Sequence, residues 1–493
     1  MDIRGRRLKR FDSGASRFYS SIGFDGPIAR HVIKINTAHM ISLVKAGEVE
    51  RGVGEECLRF LSKETPRPRR AKGAEDIHQL IEQNAVDRLG VEIAGFLNLG
   101  KSRNDQVASA VRMELRERVI RLLEAIADLQ AALLKIVRKF GRAVIPGYTH
   151  MQHAMPVTLG HHFSAYFDAF QREIDRLVQL YARVNVSPMG AAALAGTSVA
   201  VDRTAVSDFL GFAGIVENSI DAVSSRDFVV EALACSETIM LDLSRLSEEI
   251  ILWSSKEFGY LEVSDEYANS SSIMPQKKNP VAAETVRAKC GSVLGSLVAV
   301  CAILKALPYT YNLDLQELTP HLWRGLDDTL ASTIVTAGMV GTLKFDVRAL
   351  RLSLKGDYST ATAFANYLVK AHGVSFRQAH AIVGGLVRMS VETGTPFELT
   401  ISKHLSPLSR EITGKPIHLA QGVLNGVLDP ASSLHALSSS GSANPKFLQR
   451  GVEKRLSQLE SNRSSVRRIR EGLSRADALL LRNVNSVLKG VKK

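Results

Sequence analysis

The residues of this chain best suited to chemistry lie in the stretch 268–280. Three consecutive serines open it, and two lysines, Asn279 and Pro280 close it. Its polar residues and prolines predict a loop that ends at a helix, with Asn279 as the N-cap and Pro280 as the first helical residue. Hydroxyls, ammonium groups, an amide and a helix N-terminus in one place favour binding of an anion, such as a carboxylate or phosphate. The simpler alternative is a solvated surface loop.

Two further polar breaks, 100–105 and 147–152, interrupt long apolar-periodic segments. Each has a structural explanation of its own. A single histidine in a turn, such as His150, is more often structural than catalytic, and Ser102 suits the cap of the helix that follows it. Glu284 falls in a first helical turn, where the helix dipole favours any carboxylate. A functional interpretation therefore depends on these pieces occurring together.

Six motifs occur together, and in one order. They are Ser102-Arg-Asn-Asp-Gln106, Gly147-Tyr-Thr-His-Met-Gln152, Ser225-Arg-Asp-Phe228, Met274-Pro-Gln-Lys-Lys-Asn-Pro280, Tyr311-Asn-Leu-Asp-Leu-Gln-Glu317 and Phe376-Arg-Gln-Ala-His380. In this order they resemble the argininosuccinate lyase family of the fumarase/aspartase superfamily, over most of the chain from about residue 20 to residue 380. The resemblance implies an all-α, three-domain fold. It also implies cleavage of argininosuccinate to arginine and fumarate, in arginine biosynthesis, without a metal or other cofactor.

The resemblance also implies the roles of four residues in a β-elimination that breaks a C–N bond. Ser271 matches the base, His150 the acid for the leaving nitrogen, and Glu284 the carboxylate that orients this histidine. Lys277 matches a donor to the dianionic aci-carboxylate, which needs preorganised positive groups. A serine hydroxyl becomes a useful base only when nearby positive charge lowers its pKa. The positions that match substrate contacts are Ser21, Arg103, Asn104, Thr149, Asn279, Tyr311 and Gln316.

Several positions depart from the family pattern. Asn98-Leu-Gly-Lys stands where His-Thr-Gly-Arg is usual, Ser270 replaces a glycine, and Thr319 replaces a lysine associated with the amino-acid half of the substrate. The groups for elimination are all present. The departures therefore bear on recognition of the arginine half.

Long helices must position these residues. From about residue 104 to residue 140 there is no proline or glycine, and apolar residues recur at three- and four-residue steps. This pattern predicts one helix of about 55 Å. Further long helices are predicted at 158–184, 226–256, 280–307 and 321–343.

Five such helices, with no alternating strand pattern between them, predict an elongated bundle. Apolar residues on more than one helix face, as in 293–304, indicate burial by other subunits as well. The resemblance implies a homotetramer whose active sites are each built from three chains.

We expect three domains: an N-terminal helical domain (1–104), the central bundle that carries the catalytic loops (105–346) and a smaller helical domain (347–493). The first includes a helix at 28–46 that ends at Gly47. The last contains helices at 360–369, 376–393 and 445–480. Basic residues at 4–10 are predicted to form a solvated arm, and residues 65–72 a loop.

The composition limits which other classes of protein this chain could belong to. The chain has 493 residues, 63 Lys+Arg against 50 Asp+Glu, and a net charge of +13, which favours anionic partners. Nucleic-acid binding rests on this charge alone, because zinc-finger spacing and aromatic-interleaved basic runs are lacking. Widely spaced cysteines predict buried thiols in a reducing compartment, and no signal peptide is evident, so a cytoplasmic protein is expected. The apolar segment 290–304 is predicted to be a buried helix, too short to span a membrane.

Three alternatives stay open at the level of sequence. One is another fumarate-releasing lyase, such as adenylosuccinate lyase or a lyase with a different amine, although no purine-phosphate loop is evident. Another is a non-catalytic structural protein on the same scaffold, as crystallins of this family are, although such a role needs none of the four catalytic residues. The third is a nucleic-acid-binding protein, which salt-dependent retention on DNA would reveal.

Overall fold

Five long helices form the centre of the computed structural model, which describes residues 12–66 and 73–489. They are α6 (Arg103–Phe140), α7 (Leu159–Val184), α10 (Asp227–Ser254), α11 (Val281–Leu304) and α12 (Asp314–Thr342). Short helices α8 (Arg203–Leu210) and α9 (Ser219–Ser224) lie between α7 and α10. The predicted bundle is confirmed. Helix α12 starts seven residues before the predicted residue 321, because the helix contains Pro320 where the sequence suggested a break.

The bundle has two well-separated ends. Helices α6 and α12 run parallel, since Arg118 on α6 contacts Asp327 while Lys135 Nζ donates to Gly341 O at 3.3 Å. Helix α7 runs the opposite way, since Arg112 reaches Val184 O. The first end therefore holds the starts of α6 and α12, and the second end holds their C-termini. At 1.5 Å per residue, the 38 residues of α6 separate the ends by about 57 Å.

The predicted polar break at 147–152 lies in a β-hairpin. Strand β1 (Val144–Thr149) pairs antiparallel with β2 (Gln152–Thr158), so the expectation of no strand is wrong here. Two shorter antiparallel pairs also lie near the second end. They join β3 (Leu261–Glu262) to β6 (Lys344–Phe345), and β4 (Asn269–Ser270) to β5 (Lys278–Asn279).

Short helices precede the bundle: α1 (Ser13–Tyr19), α2 (Ala29–Ala46), α3 (Arg51–Leu61), α4 (Ile77–Leu89) and α5 (Val91–Ala94). Helix α2 confirms the predicted stripe, since Val32, Ile35 and Leu43 are buried. Gly47 ends it with a φ of 77°, a conformation that favours glycine. The predicted basic arm at 4–10 and most of the loop at 65–72 lie outside the described residues.

Up to residue 489, where the described part of the chain ends, seven helices follow the bundle: α13 (Val347–Leu352), α14 (Ala361–His372), α15 (Phe376–Thr393), α16 (Phe397–Thr413), α17 (Gln421–Leu428), α18 (Pro430–His435) and α19 (Leu448–Lys489). Helices α14 to α17 share a separate apolar core around Phe364 and Leu386. Helix α19 instead buries Val466 and Val484 in the main core, beside α6. The division into three domains stays a prediction, but α19 packs with the bundle.

Two predictions of burial are wrong within this single chain. Cys57 and Cys235 are buried, but Cys290 is half-buried and Cys301 is exposed. Both lie on α11, an apolar helix of 24 residues. Among the described helices it alone is long and apolar enough to cross a membrane by length and composition, and only 22% of its apolar window is buried. An apolar face on α11 is therefore left without a partner in this chain.

Candidate active site

The first end of the bundle gathers a polar cluster around Arg103. The guanidinium forms an ion pair with Asp76 and lies 3.9 Å from Glu82. Nearby, Ser21 Oγ donates a hydrogen bond of 2.8 Å to Asp25 Oδ2. Burial raises the pKa of the Asp25 carboxyl to about 6, even though Ser21 and a backbone N–H donate to it. Two of the predicted substrate contacts, Ser21 and Arg103, thus lie beside acidic groups that suit a cationic ligand.

The start of α12 adds Tyr311 and Gln316 to this cluster. Gln316 Nε2 donates to the Tyr19 carbonyl at 2.8 Å, which joins α12 to the N-terminal segment. Burial raises the pKa of Tyr311, and its phenol lies in the field of Arg226 and Arg103. The structure therefore brings four predicted contact residues together at one end.

The N-terminus of α6 positions Arg103 and Asn104. Ser102 accepts a hydrogen bond from Asn104 N, and Asp105 accepts one from Ser102 N at 3.1 Å, as in a capping box. Asp105 Oδ2 also accepts from Gly190 N and Ala192 N, and burial raises the pKa of this carboxyl to about 6. Asn104 Nδ2 donates to Ala193 O at 2.9 Å, so the Gly/Ala-rich connection packs against this helix start.

Thr149 and His150 lie at the second end, on the tip of the β1–β2 hairpin. Both side chains are exposed in the single chain. The tip has left-handed backbone at His150 (φ 54°) and Met151 (φ 59°), as a two-residue type I′ turn requires. Gly147 leaves no room for a Cβ, which would lie 2.6 Å from Met155 O. The backbone conformation of the hairpin tip is therefore closely restricted, and the His150 side chain on it is exposed to solvent.

Ser271 lies in the turn between β4 and β5. Its N–H donates to Lys277 O at 3.1 Å, and its Oγ accepts from Ile273 N at 3.3 Å and from Met274 N at 3.0 Å. These donors stabilise negative charge on the serine oxygen. Lys277 is exposed, and Ile273 is 82% exposed. The loop therefore carries a serine hydroxyl that accepts two backbone hydrogen bonds, together with the Lys277 ammonium group and the solvent-exposed side chain of Ile273.

The predicted cap of α11 is wrong by one residue. The helix begins at Val281, Pro280 is the N-cap residue, and Asn279 belongs to β5. The reason is pairing with Asn269, whose Oδ1 accepts from Asn279 Nδ2 at 3.1 Å. Asn279 is held by this strand pair instead of by the helix.

Glu284 lies in the first turn of α11, as predicted, and is exposed near Arg287. Within residues 12–66 and 73–489, no hydrogen bond or ion pair joins Glu284 to His150. The role of Glu284 in orienting His150 stays a prediction, because the two side chains do not pair within one chain.

The predicted site residues therefore form groups at both ends of the bundle. The loop that carries Ser271 is tied to the second end, because Lys278 Nζ pairs with Glu262 at 2.7 Å and β3 pairs with β6, directly after α12. Arg103 lies at the first end, about 57 Å away along α6, which has 38 residues. One chain does not bring the two groups together.

Sequence reasoning missed three polar residues of the first cluster. Asp25 and Asp76 contact predicted site residues, and Asp76 also caps α4 by accepting from Gln79 N at 2.7 Å. Arg226 is buried, and within the described part of the chain it donates only to backbone carbonyls; burial lowers its pKa to about 10. The motif at 225–228 contains Arg226 but predicts no role for it, whereas neither aspartate stands in a motif that marks it.

Comparisons with known proteins agree with the motifs. A lyase family model matches residues 63–295, and an argininosuccinate lyase C-terminal model matches residues 358–435. The chain is 41% identical, over 99% of both chains, to the argininosuccinate lyase of Methanothrix thermoacetophila. It is 39% identical to that of Methanothermobacter thermautotrophicus, over 94% of this chain and 100% of the relative.

Among solved structures, an EDDS lyase in complex with formate superposes with a TM-score of 0.87, at 28% identity, over 98% of this chain and 97% of the other. Full-length identity of this order leaves no doubt about descent. The chain belongs to the argininosuccinate lyase family of the fumarase/aspartase superfamily.

Proposed function

We propose that this protein is an argininosuccinate lyase, which releases fumarate and arginine by β-elimination. The observation that carries the proposal is the Ser271 hydroxyl, which accepts two backbone hydrogen bonds on a loop that also holds Lys277. Family membership supplies the substrate. Reduced cysteines are consistent with a cytoplasmic setting.

In the proposed reaction, the departing nitrogen is bonded to one carbon of the succinyl group. Ser271 Oγ removes a proton from the neighbouring carbon. The resulting dianionic carboxylate is stabilised by Lys277 and by backbone donors of the loop. The C–N bond then breaks, the carbon–carbon double bond of fumarate forms, and His150 gives a proton to the leaving guanidino nitrogen. Protons and electrons balance without a redox partner.

The cluster at the first end suits the rest of the substrate. Carboxylates bind a guanidinium with paired, charge-assisted hydrogen bonds, and Asp25 and Asp76 supply them. Arg103 supplies donors for substrate carboxylates, and the amide oxygens of Asn104 and Gln316 supply acceptors for the substrate amine. We assign the arginine half to this cluster and the succinyl half to the space between it and the catalytic loops of neighbouring chains.

Assembly must then join the two ends of different chains. We propose a homotetramer with antiparallel neighbours, in which each site combines segments of three chains. Exposed apolar side chains on three bundle helices support this: Leu241, Leu294, Val298 and Ile334. Val298, at 59% exposure, would be covered by such a partner.

The test follows fumarate release from argininosuccinate and, in parallel, from adenylosuccinate. We expect turnover of argininosuccinate only, abolished in a folded Ser271→Ala variant. Turnover of adenylosuccinate alone would overturn the assignment. A folded, assembled protein inactive on both would favour the structural, crystallin-like role.

A lyase acting on a different amine is the second candidate. Thr319 stands in place of the family's lysine and is only 8% exposed. Its hydroxyl is neutral, so it supplies no cation for the amino-acid half of the substrate. EDDS, named for the solved relative, is a suitable competing substrate. A higher kcat/KM with EDDS than with argininosuccinate would favour this second candidate.

A further inference from the structure

The hairpin tip that carries His150 has a left-handed backbone at both of its turn residues. His150 and Met151 both have positive φ, yet neither is glycine, asparagine or aspartate. Side chains with a Cβ populate this region rarely, so the surrounding structure must hold the turn in place. The contacts next to the tip are therefore of interest.

A chain of polar side chains begins immediately beneath the turn. Tyr148 and His153 are cross-strand partners, one pair below Thr149 and Gln152. Tyr148 Oη lies 3.0 Å from His153 Nε2 and 2.7 Å from Tyr260 Oη. His153 Nδ1 lies 2.9 Å from Asp357 Oδ2.

The direction of each hydrogen bond follows from the chemistry of its partners. The Asp357 carboxylate only accepts, so His153 Nδ1–H donates to it, and in this tautomer Nε2 is the acceptor. Tyr148 O–H then donates to His153, and its oxygen accepts from Tyr260 O–H. Burial raises the pKa of Tyr148, which keeps the phenol protonated for this arrangement.

Both ends of the network are fixed to the body of the protein. Tyr260 is buried, and its N–H donates to Trp253 O at 2.9 Å. Asp357 Oδ1 accepts from Ser359 N at 3.1 Å and from Ser359 Oγ at 2.7 Å. The hairpin is thus tied on one side to the end of α10 and on the other to the segment that precedes α14.

We propose that Tyr148, His153 and Asp357 form a clamp that positions His150 for proton transfer to the leaving nitrogen. The inference rests on the proposed function for the role of His150. The clamp residues do not touch the substrate; they act by restricting the turn that bears the acid. Removing a hydrogen bond of the clamp should therefore lower kcat and leave KM almost unchanged.

The decisive variant is Tyr148→Phe, which removes only the hydroxyl and keeps the ring against Phe258. We expect kcat for argininosuccinate to fall about 10- to 100-fold, with KM changed by less than about twofold, because small misplacements of a catalytic group are costly. Asp357→Leu should behave alike, whereas Asp357→Asn, which keeps an oxygen to accept from His153 but loses the acceptor for Ser359 N–H, should have a kcat between those of Asp357→Leu and the wild type.

Tyr181→Phe is the matched control. It also removes only a phenol hydroxyl from a partly buried ring, but Tyr181 lies near the C-terminus of α7, at the first end of the bundle and far from the hairpin. Hydrogen exchange of residues 144–158 gives a second readout, expected to be faster in Tyr148→Phe and unchanged in Tyr181→Phe.

The outcomes separate the clamp from the proposed function. If wild-type protein turns over argininosuccinate and Tyr148→Phe matches the Tyr181→Phe control in kcat and exchange, the clamp is refuted. An increase in KM as large as the fall in kcat would likewise refute a positioning role. If the wild type does not act on argininosuccinate, the proposed function fails, and unchanged hairpin exchange in Tyr148→Phe would refute the clamp independently.

Discussion

At the residue scale, the Ser271 hydroxyl is the group on which the proposed chemistry depends. Ser271→Ala should lower kcat by at least about 100-fold, as expected for loss of a general base. Stability should change little, since a surface-loop hydroxyl contributes little to it. The measurement is single-substrate kinetics beside a thermal unfolding curve. Near-normal turnover in a folded variant would remove Ser271 from this role.

Thr319 offers a gain-of-function test at the same scale. A lysine at this position should supply the missing cation, so Thr319→Lys should lower KM for argininosuccinate roughly tenfold, with a smaller change in kcat, as for uniform binding. Thr319→Met, of similar length but uncharged, is the control for simple filling of this buried position. A KM that stays constant or rises would mean that another cation already fills the place.

The buried Asp25 carboxyl makes a prediction about pH. Its pKa is raised from 3.8 to about 6, so the folded state keeps the proton at pH values where the unfolded chain has lost it. Wild-type stability should therefore fall as pH rises from about 4 to about 6, relative to Asp25→Asn, which does not ionise. The difference should approach about 3 kcal/mol, since one pKa unit corresponds to about 1.4 kcal/mol, and stay constant above about pH 7. Urea unfolding of both proteins at four pH values measures it; a difference independent of pH would contradict the assignment.

At the element scale, the start of α6 sets the position of Arg103 and Asn104. Ser102→Ala removes the side-chain cap and should cost about 1 kcal/mol, whereas Ser102→Gly should cost only a few tenths. We expect KM to rise in the alanine variant, because the two substrate residues follow the cap directly. Denaturant midpoints and KM values, measured for both variants, test this; equal effects of alanine and glycine would show that the cap does not matter.

The elements show what local sequence can and cannot reveal. Helices α6 and α7 were predictable because apolar periodicity and caps at Ser102 and Thr158 act within a few residues. The β1–β2 hairpin was not, since Pro146 pairs with Pro156 and both residues normally argue against a strand. Asn279 was misplaced because its partner, Asn269, lies ten residues away.

At the scale of the whole molecule, the identity of the site residues was predictable but their convergence was not. Motifs named Ser271, His150 and Arg103, yet the chain places Arg103 at the opposite end of α6 from the other two. The prediction that the apolar segment of α11 is buried was wrong for the same reason, because an apolar face of this segment has no partner in its own chain. An apolar face that has no partner within its own chain indicates an assembly. The local sequence pattern does not describe how the chains of that assembly are arranged.

Mixed oligomers test whether sites are shared. Inactive Arg103→Ala and Ser271→Ala proteins, unfolded and refolded together, should regain part of the wild-type activity. The two residues lie at opposite ends of the bundle, which the 38-residue helix α6 separates by about 57 Å, so they must meet across chains. Some mixed sites would then take both intact residues from different chains, while others carry both lesions. Each variant refolded alone is the control and should stay inactive.

The pair His150→Ala and Ser271→Ala asks the harder question, because both residues lie at the second end of one chain. Among the described residues, no hydrogen bond or ion pair joins the hairpin tip to the 269–279 loop, and both are exposed to solvent. A site built from three chains predicts recovery for this pair as well. If verified hybrid tetramers recover activity with the Arg103 pair but not with the His150 pair, His150 and Ser271 come from one chain and the site joins two chains; if neither pair recovers, the shared-site assembly is wrong.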